Sequence, residues 1–157
     1  MNQEKWDDRF LRLARFVSAW SKDPSTQVGA VIAKGNHIIS MGYNGFPSVL
    51  PDTPELYENR EEKYGKIIHA ERNAYLFARG DVTGSTLYTY PLPPCNECSL
   101  MYIQAGVARV VVPVVDIPLH WQENMKLAKT NLSLAGIEIK EIEVACGTFA
   151  RFSADNE

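Results

Sequence analysis

No stretch of the 157-residue chain approaches the ~18 consecutive apolar residues of a membrane span. The opening residues, MNQEKWDDRF, are charged and hold no apolar core of the kind a secretory leader needs. A cytoplasmic protein with no membrane partner is therefore the default expectation. A basic excess is missing too: 16 Lys and Arg stand against 19 Asp and Glu, a formal net charge of −3. That balance argues against sequence-independent binding to long nucleic acids, which takes a positive surface. It leaves room for a small phosphorylated ligand, for which one or two placed cations suffice. Cysteine is scarce, and three of them fit no simple disulfide framework. Repeats, linkers and biased tracts are also lacking, so residues 1–157 are expected to form a single domain.

What is present is periodic. Residues 6–21 carry Phe10, Leu13, Ala14, Val17 and Trp20 at three- and four-residue steps, which predicts an amphipathic helix. The following KDPST should end it at Pro24. QVGAVIA and HIISMGY flank KGN and read as a hairpin. Residues 47–66 have no clean period and read as a long surface loop, with one helical turn around Glu55–Glu62. HAERNAYLFARG, CNECSLMYIQAG and LHWQENMKLAKTNLSLAG predict three helices closed by Gly80, Gly106 and Gly136. STLYTY and ARVVVPVV predict strands, the second fully buried, and the alternating IEIKEIEV predicts an edge-like strand. Strands separated by helices imply crossovers and a partly parallel sheet. The expected class is α/β: a three-layer α/β/α sandwich with a five-stranded mixed sheet.

Two of the cysteines stand as Cys95-Asn-Glu-Cys98, a spacing that in a reducing compartment means metal or redox chemistry. With His69 they supply the three protein ligands of a catalytic zinc site whose fourth position stays open. Pro94 fits the start of a helix, and a helix N-terminus favours thiolates. Glu71 lies two residues after His69. On a regular helix it points away, which makes it a poor fourth ligand. In the first turn it can lie over the open position and carry a proton between water and substrate. Taken singly, these residues have ordinary readings: a capping histidine, two small buried thiols, a solvated carboxylate. Asn44, in GYNG, reads equally well as a turn former. His37 and His120 are expected to be structural or exposed, and Cys146 inert. Together, in the order H-x-E…P-C-x-x-C and each half opening a helix, they form the pattern of zinc deaminases.

The likeness extends beyond that pattern. SKDPSTQVGAVI (21–32), GYNGFP (42–47), KYGKIIHAERNA (63–74) and PCNECSLMYIQAGV (94–107) resemble, in the same order, the deoxycytidylate (dCMP) deaminases of the cytidine deaminase superfamily. The resemblance implies a hydrolase of pyrimidine nucleotide metabolism that converts dCMP to dUMP and ammonia and so feeds dTTP supply. It implies one catalytic zinc per chain on His69, Cys95 and Cys98, with Glu71 as general acid and base. Asn44 would contact the sugar, and the main chain near Ala70 and Pro94 would flank the base. Lys22, Ser25 and Thr26 lie in the loop where a substrate phosphate would be held. A homo-oligomer, hexamer or dimer, with dCTP and dTTP as effectors is the further implication. The segment after GYNGFP lacks the extra Cys and His that form a second zinc site in some members. Two alternatives stand beside this reading. One is a deaminase of another small or modified amino-nucleotide, such as a 5-substituted dCMP. The other is a non-catalytic zinc-binding subunit of the same fold.

Overall fold

The structure is a computed structural model that describes residues 1–144; Cys146 lies outside them. Helix α1 (Gln3–Ser18) is followed by the hairpin β1 (Gly29–Lys34) and β2 (His37–Tyr43). Two short helices, α2 (Pro54–Glu58) and α3 (Arg60–Lys66), precede α4 (Ala70–Phe77) and β3 (Thr86–Tyr90). Helix α5 (Asn96–Gln104), β4 (Arg109–Pro113), a 3₁₀ turn (Leu119–Trp121), α6 (Gln122–Leu134) and β5 (Glu138–Ile142) complete the described chain. The five strands form one sheet in the order β2-β1-β3-β4-β5. β1 is antiparallel to both of its neighbours, and β3, β4 and β5 run parallel. The expected mixed sheet is present, and the alternating IEIKEIEV segment does sit at an edge.

Period-two alternation along the central strands builds both cores. Ala30, Ile32, Leu87, Val110 and Val112 face one side, where Ala70, Ala74, Tyr102 and Leu132 of α4, α5 and α6 pack on them. Val31, Ala33, Tyr88 and Val111 face the other, against Phe10, Leu11 and Ala14 of α1. Helices therefore cover both faces, giving the three-layer sandwich. Gly42 lets α4 lie unusually close to β2. A Cβ there would fall 2.4 Å from the Ala74 amide nitrogen and 2.7 Å from the Ala70 carbonyl oxygen.

The differences from the sequence expectation lie at boundaries. Helix α1 ends at Ser18, well before Pro24, because Ala19, Trp20 and Ser21 close it through tight amide bonds to Phe16, Val17 and Ser18. Helix α4 ends at Phe77, and the left-handed residue after it is Arg79 (φ 48°), not Gly80. Gly106 and Gly136 take the expected left-handed closures, with φ of 78° and 73°. The 47–66 stretch holds two short helices where one helical turn was expected.

One buried carboxylate fastens α1 to the sheet. Asp7 is fully buried and accepts hydrogen bonds from Tyr88 Oη at 2.8 Å, Gln3 Nε2 at 2.8 Å, and Arg109 Nη1 and Nη2 at 3.2 and 3.0 Å. Lys140 Nζ lies 3.3 Å away. Burial alone would raise its pKa, but the donations from Arg109, Gln3 and Tyr88 outweigh that and hold it at about 2. Relative to an ordinary value of 3.8, the charged form contributes about 2 kcal/mol to folding. Because the folded pKa is depressed, that contribution is complete above pH ~4 and is lost as the pH falls through ~2. Removing the carboxylate also leaves Arg109 Nη1 and Nη2 without their acceptor, although its Nε keeps Glu138 at 3.1 Å. Asp7→Ala is therefore expected to cost about 3–5 kcal/mol in urea-induced unfolding at pH 7, with about 2 kcal/mol of that difference gone by pH 2.

Candidate active site

Strand register brings the site segments to one edge of the sheet. Gly29 at the start of β1 pairs with Tyr43 at the end of β2 and with Tyr90 at the end of β3. The parallel pairing of β3 and β4 places the end of β4 on that same edge. The loop entering β1, the segment leaving β2 toward His69, the turn leaving β3 toward Cys95 and the segment leaving β4 toward Trp121 therefore meet there. A two-residue bridge, Gly45 with Ile68, fixes the chain just ahead of His69 through amide bonds of 2.8 and 3.1 Å.

His69 and Cys95 occupy equivalent places, as the N-cap residues of α4 and α5, both with extended backbones. Neither cap side chain accepts a bond from its own helix. Both helix termini therefore bring the partial positive charge of a helix start to the ligand set. Their relative placement is locked further out. Tyr102 Oη of α5 donates to the Glu71 carbonyl at 2.7 Å. Asn124 Oδ1 of α6 accepts from the Asn96 amide at 2.8 Å, and Asn131 Nδ2 donates to Asn96 Oδ1 at 2.9 Å.

The result is a preassembled ligand set. His69 Nδ1 lies 3.4 Å from Cys95 Sγ and 3.5 Å from Cys98 Sγ, and all three atoms fall within 4.8 Å of one another. A tetrahedral zinc ion with Zn–N of ~2.0–2.1 Å and Zn–S of ~2.3 Å separates a nitrogen from a sulfur by about 3.6 Å. The residues present thus fit that ion. Electrostatics shows the same demand for a cation. Hydrogen bonding from Cys98 and contact with His69 pull the Cys95 thiol down to about 5, while the Cys98 thiol is pushed up by Cys95 and by burial. Contact with Cys95 raises the His69 imidazole. Glu71 is buried, and burial lifts its carboxyl to about 7. Glu71 supplies no atom to the three-ligand cluster.

A cavity of ≈ 390 Å³ opens over this set, within the size range of small-ligand sites. His69, Glu71 and Cys95 line it, and so do Asn44, Ala70, Ser25 and Thr26. Asn44 is buried and works as a strut. Its Oδ1 accepts from the Val28 amide at 2.8 Å, and its Nδ2 donates to the Thr26 carbonyl at 2.9 Å. Two expected residues are not on this wall. Lys22 is exposed and pairs with Asp52 at 3.0 Å. Pro94 is buried on the side of a neighbouring cavity against α6, and Pro93 lines both.

Sequence reasoning missed Asp23, Lys63, Tyr64, His120 and Trp121 on the wall, and treated Arg60 as a solvated cation. The Trp121 ring stands edge-on to His69, with centroids 6.4 Å apart. His120 is exposed yet lines the cavity, while His37 is simply exposed. A signal existed for α3 alone: Arg60, Lys63 and Tyr64 recur at helical spacing immediately ahead of the His69 motif.

Comparison with known proteins adds a family. The model of the cytidine and deoxycytidylate deaminase zinc-binding region matches residues 4–114. The chain is 43% identical over 137 residues to a protein of Aliivibrio fischeri called "Uncharacterized deaminase in luxG 3′ region", across 86% of this chain and 92% of that one. It is 33% identical over 149 residues to the deoxycytidylate deaminase of Homo sapiens, across 90% of this chain and 82% of that one. The crystal structure of the apo dCMP deaminase from cyanophage S-TIM5 is similar with a TM-score of 0.69 at 25% identity, covering 90% of this chain and all of that one. The purified protein is expected to carry about one zinc per chain by elemental analysis. Cys98→Ala should lose most of that metal, and a chelator should lower the melting temperature of the wild type. Metal-free protein after metal-replete expression would contradict the fit.

Proposed function

The chain belongs to the cytidine and deoxycytidylate deaminase zinc-binding family, and we propose that it hydrolyses dCMP to dUMP and ammonia. The observation that carries the reading is the division of labour around His69. Three ligand atoms cluster, while the buried Glu71 carboxylate lines the same cavity outside the cluster. A structural zinc site closes its coordination with a fourth protein ligand, and a catalytic one keeps a position open. The uncommitted Glu71 therefore disfavours a non-catalytic subunit. The similarity to deoxycytidylate deaminases over most of the chain disfavours another amino-nucleotide as the main substrate.

His69 Nδ1, Cys95 Sγ and Cys98 Sγ would hold the ion. Zinc supplies a Lewis acid that makes water nucleophilic near neutral pH. Glu71 accepts a proton from the attacking water and returns it to the substrate. A C–O bond forms at C4 of the cytosine ring, the C4–N bond breaks, and the amino nitrogen leaves as ammonia with the transferred proton. Ala70 and the main chain of the turn at Pro93 and Pro94 flank the base, with Pro93 on the cavity wall. Asn44 holds the 23–28 loop in place for the sugar, and Ser25 and Thr26 border the same space. Trp121 and Leu92 supply apolar wall in the same cavity, with the Trp121 ring beside His69.

The finer features belong to the same proposal. Assembly into a homo-oligomer is supported by an exposed aromatic cluster, Phe16, Trp20 and Tyr43, in edge-on contact at 5.7 and 6.0 Å. Response to dCTP and dTTP rests on the likeness to deoxycytidylate deaminases alone. A cytoplasmic location and a single domain accord with the composition, and among the described residues no helix is long and apolar enough to cross a membrane.

Two measurements test the reading. Glu71→Ala is expected to keep its zinc and its fold while ammonia release from dCMP falls by about 10²–10⁴; normal turnover in that variant would remove Glu71 from the reaction. The wild type is expected to favour dCMP over deoxycytidine by at least ~10² in kcat/KM, because the phosphate supplies binding energy realised in the transition state. Equal rates on the two would exclude a nucleotide enzyme.

A further inference from the structure

Helix α3 shows one chemical face to the cavity. Arg60, Lys63 and Tyr64 fall at i, i+3 and i+4, and all three line it, whereas Glu61 and Glu62 are exposed elsewhere on the helix. Lys63 is the unusual member, an amine only 9% exposed. Its Nζ lies 3.0 and 2.8 Å from the two carboxylate oxygens of Asp23. Asp23, itself 2% exposed, also accepts from the Ser25 and Thr26 amides at 2.9 and 3.3 Å and from Asn44 Nδ2 at 3.4 Å. An ammonium has three N–H donors and no acceptor. Two directed at Asp23 leave a third for the cavity that Lys63 lines.

Arg60 has the complementary property. Among the described residues no carboxylate lies within ion-pair distance of it, although Glu58 also lines the cavity. Its guanidinium stands 5.4 Å from the Tyr64 ring centroid, a contact that restrains it without spending its charge. Lys22, the cation favoured by the sequence, is outside the cavity and neutralised by Asp52.

We propose that the α3 face, Arg60 together with Lys63, is the subsite for the substrate's 5′-phosphate and so selects nucleotide over nucleoside. The inference rests on the reading of the protein as a dCMP deaminase. A phosphomonoester at neutral pH carries nearly two negative charges. Arg60 meets it with a planar fork suited to paired oxygens, and Lys63, its charge balanced by Asp23, adds the remaining N–H of its ammonium as a donor. Asp23 is a positioning residue. It aims Lys63, and by forming a neutral pair it lets a second cation, Arg60, sit one helical turn away.

The test is the ratio of kcat/KM for dCMP to that for deoxycytidine, measured by ammonia release on zinc-replete protein. Arg60→Gln is expected to lower the ratio by ~10–100-fold through the dCMP value alone, with deoxycytidine turnover and zinc content unchanged and with partial rescue in Arg60→Lys. Lys22→Gln should leave the ratio within about twofold. Because Arg60 is exposed, its variants keep the test decisive even if Lys63→Gln fails to fold. An unchanged ratio in Arg60→Gln, or a loss confined to Lys22→Gln, overturns the subsite while the deaminase reading stands. A wild type that releases no ammonia from dCMP brings down that reading, and the subsite with it.

Discussion

Two sulfurs and an imidazole nitrogen are held within 4.8 Å of one another where little water can screen them. Such crowding is unfavourable until a cation arrives, so the surrounding chain must supply rigidity in advance. It does so with elements that cannot shift independently. His69 and Cys95 begin two helices whose shared face packs on one side of the sheet. The Tyr102 hydroxyl ties α5 to the main chain of Glu71, and Asn124 and Asn131 tie α6 to the first residue of α5. Gly42 sets the depth of the arrangement, since any side chain there would push α4, and His69 with it, away from β2. The opposite face of the sheet has a separate anchor in Asp7, which joins α1 to β3, β4 and β5 through groups that play no part in the chemistry.

The chemical centre was legible from sequence because its geometry is local. Cys98 follows Cys95 by three positions and Glu71 follows His69 by two, and the start of a helix turns those spacings into directions in space. The strands and helices were legible for a similar reason, since apolar periodicity records which face is buried. The wall of the cavity was not legible. Whether Lys22 or Arg60 is a free cation depends on Asp52, which lies 30 positions from one and 8 from the other. No local pattern states that pairing. Lys63 looks like a solvated residue in the charged run REEKYGK until Asp23, 40 positions upstream, is placed against it. Pro93 and Pro94 are adjacent in sequence, and only the path of the turn decides which of them faces the cavity.

The two kinds of charge in the cavity answer different needs. Glu71 is buried without a salt bridge, which suits a group that must gain and lose a proton. Asp23 is equally buried but bound on every side, by Lys63, two amides and Asn44. A buried ion pair adds little net stability compared with apolar packing of the same shape. Its value here is geometric: it fastens α3, a short helix with little core of its own, to the loop that enters β1.

The bridge between Gly45 and Ile68 has an evolutionary consequence. The segment between them leaves the sheet edge and rejoins it at a bridge closed by two amide bonds, and is tied to the loop before β1 through the ion pairs of Lys63 with Asp23 and Lys22 with Asp52. Closing a longer or shorter excursion there changes the entropy cost only slowly with length. Changes of length between Pro47 and Asp52 or between Asp52 and Arg60 are therefore tolerated best, since the bridge still sets where His69 begins its helix. Such a chain can exchange what it recognises while inheriting its reaction intact, because the part of the wall that discriminates is grafted onto a hinge point the metal site does not feel.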